Sequence, residues 1–252
     1  LQDLVAEDSK RTLGMATIKR TIEDLRKCIF WAIEDNRTPP RYKCPIKESS
    51  HYIESKGKKN VTKKRCPNNA EIEQLCSMER KFSKNTDKTA WLSIPTIARY
   101  TGMRVGEIAQ LSKSWIVERQ GVRCIDTSSG DLKTRSSERL IPVHSKLSGL
   151  LDDLIGSAKG DKLFPDVGTY TTPSGVIKYG HYFLKSYNKN CKKIAADLSF
   201  HCFRVYANTQ MLDGGVNLTD CERIMGHANS TTNATYTGEN LARLKQAIET
   251  IL

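Results

Sequence analysis

Residues 201–236 read HCFRVYANTQMLDGGVNLTDCERIMGHANSTTNATY. The opening HCFR sets His201 and Arg204 one helical turn apart, on one face if the segment is helical. Gly214-Gly215 stops that helix, and LTDCERIM supports a second one, with Thr219 or Asn217 as its cap. Gly226-His227 follows, and then a run of small polar residues reaches Tyr236, nine residues after His227. Thr-, Asn- and Gly-rich stretches ordinarily mark surface loops. The question is why this one carries an imidazole and a phenol.

Outward from that stretch the chain is mostly helical. ENLARLKQAIETIL places Leu241, Leu244, Ile248 and Ile251 on one face. In the other direction, WIVE, VRCIDT and RLIPV are short, rich in β-branched residues and separated by turn signals, which predicts a small antiparallel sheet. A helix over about 87–100 ends at Gly102, and another, capped by Asn69, runs through AEIEQLCSMERKF. TIKRTIEDLRKCIFWAIE, residues 17–34, repeats Ile18, Ile22, Leu25, Ile29 and Ile33 at helical spacing and stops before Asn36 and Pro39-Pro40. Beyond Lys146 helical signals run to the end. The fold class expected is mainly α with a small antiparallel β-sheet.

The division expected is a helical unit over 1–46, a basic linker over 47–65 and a main domain over 66–252. The chain opens at Leu1 rather than Met, so further N-terminal sequence is expected. The formal net charge is +12, which draws polyanions and favours nucleic acid as partner. The linker's stretch SKGKKNVTKKR, residues 55–65, concentrates Lys56, Lys58, Lys59, Lys63, Lys64 and Arg65 without one acid. Laid along DNA it would make sequence-independent phosphate contacts. No apolar run spans a bilayer and no signal peptide opens the chain, so a cytoplasmic protein is expected. The eight cysteines are scattered without metal-ligand spacing and read as reduced thiols.

Four segments carry chemistry when taken together. TGMRVGEIAQL supplies Arg104 after a glycine turn, and DLKTRSSERLIPV supplies Lys133 in a hairpin. HCFR supplies His201 and Arg204, and the quoted polar run supplies His227 and Tyr236. Singly, each is an ordinary surface feature. Jointly they make an anion site with a hydroxyl nucleophile. Two guanidiniums can clamp the nonbridging oxygens of one phosphate, and a phenol can attack phosphorus to form a covalent intermediate. No carboxylate cluster suits Mg²⁺, so neither metal nor cofactor is called for.

These residues, in this order and at these intervals, resemble the signature of the tyrosine recombinases of the phage integrase family. The resemblance covers roughly residues 66–252, and residues 1–46 resemble the end of the family's core-binding domain. It implies a site-specific recombinase of a phage or other mobile element. Tyr236 would form a 3′-phosphotyrosine, Arg104 and Arg204 would neutralise the phosphate, and Lys133 would protonate the leaving 5′ oxygen. His201 would serve as acid/base partner of the tyrosine, His227 would donate to the phosphate, and Glu107 would support the site structurally. Arg135 and Arg139 are the neighbouring basic alternatives to Lys133, but a guanidinium does not give up its proton readily. Implied partners are double-stranded DNA, sister subunits in a tetramer on paired sites joined through the C-terminal segment, and DNA-bending accessory proteins. The setting would be the nucleoid of a prokaryotic or phage-infected cell. The competing readings are a type IB topoisomerase and a DNA-binding relative without catalysis.

Overall fold

The computed structural model describes residues 15–48, 65–79, 88–131, 137–226 and 240–252. The chain divides into two compact units, residues 1–61 and 62–252.

In the first unit, α1 (Met15–Glu34) is the amphipathic helix expected from the isoleucine spacing. Ile22 is buried, while Leu25, Phe30 and Trp31 stand exposed. Beyond the helix, Asn36 adopts a left-handed conformation, and Arg26 reaches across to donate to the Ile46 carbonyl at 2.7 Å.

In the second unit, α2 (Asn69–Cys76) starts one residue earlier than the sequence suggested. Asn68, not Asn69, is the cap: its Oδ1 accepts from the Glu71 N–H, and the Glu71 carboxylate accepts from the Asn68 N–H, closing both ends of a capping box. Arg65 donates both guanidinium arms to Glu71 and also pairs with Asp197 at 2.9 Å. That guanidinium, expected from sequence to contact phosphate, braces α2 in the structure. The other linker cations, Lys56, Lys58, Lys59, Lys63 and Lys64, lie outside the described residues.

Helix α3 (Lys88–Thr101) runs through the centre, with Trp91, Ile94, Ile97 and Ala98 fully buried. After it come α4 (Val105–Ile108) and three strands, β1 (Ile116–Arg119), β2 (Val122–Asp126) and β3 (Leu140–Pro142). They form the expected antiparallel sheet in the order β1-β2-β3. Gln120 and Gly121 both take positive φ, the geometry of the tight turn whose twist matches paired strands. Pro142, which has no N–H to donate, sits on the edge strand.

Helix α5 (Ser148–Ser157) leads to a second hairpin, β4 (Thr169–Thr171) and β5 (Ile177–Tyr179), in a region expected to be helical throughout. Among the described residues three helices follow before the last: α6 (His181–Ile194), α7 (Cys202–Asp213) and α8 (Leu218–Met225). Tyr187 of α6 and Phe203 of α7 join Trp91 in one aromatic cluster, with the Tyr187 ring 5.1 Å from Trp91 and 6.2 Å from Phe203. Asn217 caps α8. The last helix, α9 (Leu241–Ile248), buries Leu241, Leu244 and Ile248, with Ile251 beyond it, in its own domain's core. It is tied to α8 by Arg243 donating to the buried Asp220 at 2.8 Å. Among the described residues no helix is long and apolar enough to cross a membrane. All eight cysteines are free thiols, and burial pushes those of Cys191 and Cys202 up to about 12.

Candidate active site

The site is built where α3 ends. Gly102 turns the chain with φ +64°, and a Cβ there would lie 2.4 Å from the Met225 methyl carbon. The glycine therefore serves both the left-handed turn and the close approach of α8. Two residues on, Arg104 is the N-cap residue of α4, and its half-exposed side chain points out of the fold.

Glu107, on the first turn of α4, is buried and accepts from three donors. These are the Arg104 backbone N–H at 3.1 Å, Arg104 Nη1 at 2.8 Å and Arg139 Nη2 at 3.0 Å. Burial alone would raise its pKa. The charge and hydrogen bonds of Arg139, with those of Arg104, outweigh burial and hold the carboxyl below its ordinary value. Arg139 itself is buried, and burial pulls its pKa down despite Glu107. Its remaining donors go to the Ile224 carbonyl at 2.7 Å and the Ser137 carbonyl at 2.8 Å. Its guanidinium is thus a structural strut, which removes it as an alternative proton donor to Lys133.

Arg204 projects from the first turn of α7 and is 6% exposed. Nη1 donates to the Gly102 carbonyl at 2.8 Å, and Nη2 to the Met225 carbonyl. Three of its five N–H donors lie outside those two bonds. Burial lowers its pKa to about 10, and the positive charges of Arg104 and Arg139 push the same way. It is still a cation at neutral pH, and it is held beside other cations.

The electrostatic result is three guanidiniums around one carboxylate, an excess of positive charge that an anion would offset. Of this cluster, Arg104 and Glu107 line an open cleft of about 640 Å³, together with Gln110, Asp131 and Ser137. The Gln110 side chain grips Asp131 from both sides: Oε1 accepts its N–H at 2.9 Å, and Nε2 donates to its carbonyl at 3.2 Å. On the far side of the same loop, Thr127 donates to the Ser137 carbonyl at 2.7 Å. Lys133 lies outside the described residues, but both clamped ends of its loop, Asp131 and Ser137, line the cleft.

His201 is the exposed N-cap residue of α7, one turn before Arg204. His227 and Tyr236 lie outside the described residues. Their segment starts from a fixed point, because Gly226 closes α8 in a left-handed cap, and Arg139 and Arg204 hold the two carbonyls before it. Cations at the carbonyl end of a helix are favourable placements. The structure thus brings Arg104, Glu107 and Arg204 together. Gln110, Ser137 and the strut role of Arg139 escaped the sequence reading. An arginine immediately before the apolar segment LIPV was the one signal available for Arg139; nothing in the sequence marked Gln110.

The sequence model of the phage integrase family matches residues 68–243. The tyrosine recombinase XerD of Pseudomonas aeruginosa is 27% identical over 152 residues, covering 57% of this chain and 48% of that protein. XerC of Pelobacter propionicus is 26% identical over 159 residues, covering 59% and 47%. The chain therefore spans about half the length of the curated relatives it matches. Among solved structures, the Tn1549 transposon integrase in complex with circular intermediate DNA aligns with TM-score 0.58 and 20% identity, over 93% of this chain and 78% of that one. The integrase of mycobacterium phage Brujita aligns with TM-score 0.56 and 18% identity, over 97% and 75%. At these identities the structural matches speak to the fold, which is that of the tyrosine recombinase catalytic domain.

Proposed function

This chain belongs to the phage integrase family, and on that premise we propose that it is a site-specific DNA recombinase, an integrase of a phage or other mobile element. The observation that carries the reading is the arginine cluster. Arg104 and Arg204 converge at the turn after α3 near a buried carboxylate, with N–H donors left over, and Arg104 and Glu107 line an open cleft.

In the proposed reaction the Tyr236 oxygen attacks the scissile phosphorus and forms a 3′-phosphotyrosine, while the bond from phosphorus to the 5′ oxygen breaks. The phenol's proton passes to His201, and the leaving oxygen takes a proton from Lys133. Arg104, Arg204 and His227 donate to the nonbridging oxygens as charge builds there. Such preorganised donors are each worth roughly 10²–10³ in rate. The 5′-hydroxyl of a second strand then attacks the phosphotyrosine and reseals the DNA. One phosphodiester-type bond replaces another, so no external energy source is needed. Glu107 and Arg139 position Arg104 and α8 rather than touch substrate.

The partner is double-stranded DNA, held by residues 66–252 as catalytic domain and by residues 1–46 as the end of a core-binding domain. Lys56, Lys58, Lys59, Lys63 and Lys64 track backbone phosphates between them. Assembly is as a homotetramer on paired sites, with DNA-bending proteins as accessories, at the nucleoid of a prokaryotic or phage-infected cell. The test is a nicked duplex bearing the element's own junction sequence, which traps the covalent intermediate. The native chain should yield a protein–DNA adduct, and Tyr236→Phe none. An adduct of equal yield with Tyr236→Phe, or none with the native chain on that junction, would overturn the assignment.

A further inference from the structure

The cleft in front of Arg104 has a second wall, the tip of the β4–β5 hairpin from Gly175 to Tyr179. This hairpin is fixed at both ends. At its base, Gly180 takes φ +66°, and a Cβ there would lie 3.2 Å from the Ala109 side chain and 3.4 Å from Val105. The hairpin therefore rests on α4, the helix that Arg104 caps. Tyr170 of β4 also stacks on His181, with ring centroids 4.8 Å apart. At the tip, Thr172 closes the turn. Its N–H donates to the Val176 carbonyl at 2.9 Å, its carbonyl accepts from the Gly175 N–H at 2.9 Å, and its hydroxyl accepts from the Val176 N–H at 3.0 Å.

What this rigid arm presents has no internal use. Val176 is 56% and Ile177 44% exposed, side by side on the rim of a charged cleft. Lys178, next in the strand and paired in register with Tyr170, is exposed. Among the described residues no carboxylate pairs with it, whereas Arg104 and Arg139 share Glu107. A single exposed aliphatic residue needs no explanation, but an adjacent pair flanked by an unneutralised cation does. A polyanion with apolar edges fits both features. Lysine meets phosphate as a point charge, and β-branched side chains meet base edges, thymine methyl groups above all. Holding the arm in place beforehand removes the ordering cost of contact.

We propose that the β4–β5 hairpin is a DNA-contacting finger: Lys178 holds a backbone phosphate next to the one met by Arg104, and Val176 and Ile177 lie against base edges in the adjoining groove. The proposal rests on the recombinase reading but has its own test, which needs no cleavage. The full chain is titrated onto a random-sequence duplex over a salt series, and onto a randomised duplex library at fixed salt. Lys178→Ala should weaken binding about equally across sequences and lower the salt slope by about 0.9. The double variant Val176→Ser, Ile177→Ser should keep the slope but lose a base preference that the native chain shows at one or more positions. All three substitutions are on the surface, so the variants should melt as the native chain does. A native slope for Lys178→Ala overturns the finger. So does a double variant that keeps every base preference, or one that alters only association between protein copies. Failure of the native chain to bind the duplex at all would instead overturn the recombinase reading itself.

Discussion

Arg204 is a cation used twice. Two of its N–H groups hold the carbonyls of Gly102 and Met225, and in the proposed reaction the rest of the fork donates to the phosphate. A lysine could keep the charge but not this geometry, since an ammonium cannot reproduce the planar fork. Arg204→Lys should therefore leave one buried carbonyl without its donor, costing about 1–3 kcal/mol in urea unfolding. In the trapping assay it should also lose about 10²-fold or more in adduct rate. Glu107 carries the opposite burden, a buried negative charge held by Arg104 and Arg139. Because its carboxyl sits below the ordinary value in the folded state, its contribution is complete above about pH 4.3 and fades as pH falls through the folded-state value. Glu107→Gln should destabilise the protein by roughly 3–5 kcal/mol at neutral pH. It should also flatten the loss of stability on the acid side, read as the melting temperature from pH 7 down to pH 3. An acid limb as steep as the native one would show that other carboxylates set it.

Among the elements, the turn joining α3 to α4 has the least freedom. Gly102→Ala adds the cost of a left-handed alanine, about 1–2 kcal/mol, and drives a methyl group into the Met225 side chain. The double variant with Met225→Ala should recover the second cost but not the first, so unfolding energies of the four proteins of that cycle should be non-additive. This turn was legible in the sequence because glycine before a functional arginine is a local signal. So were α1, the β1–β2–β3 sheet and α9, whose apolar spacing or β-branched runs state their own period. The β4–β5 hairpin was not. Its strands are three residues each, too short for alternation to declare itself, and TYT and IKY lie in a region whose neighbours are helical. The cap of α2 slipped by one residue because Asn68 and Asn69 are adjacent, and only the reciprocal bond to Glu71 selects between them. The pairing of Arg65 with Glu71 and Asp197 was not legible either, because nothing local in a run of cations marks which of them meets an acid.

At the scale of the whole molecule, the C-terminal stripe decides how the domain closes. An apolar stripe such as Leu241, Leu244, Ile248 and Ile251 can pack at home or on a neighbouring subunit. Here they are buried at home, and the Ile251 carbonyl accepts a 3.1 Å contact from the His144 ring. Leu244→Ala should cost about 2–5 kcal/mol by equilibrium unfolding. If synapsis on paired sites uses this segment in exchange, the same variant should change the yield of tetramer far more than the affinity for a single duplex. That can be measured by sizing the complexes and by titration. The docking of α9 also sets a leash. Asn240 is fixed where it caps that helix, and Tyr236 precedes it by four residues. Four residues of chain reach no farther than about 14 Å. While α9 stays seated, the Tyr236 backbone can lie only within that radius of Asn240, and its phenol reaches one side-chain length farther. Reaching another subunit's phosphate beyond that reach requires the helix to let go. For the proposed reaction, the choice between cutting at home and cutting next door would then follow the docking equilibrium of α9.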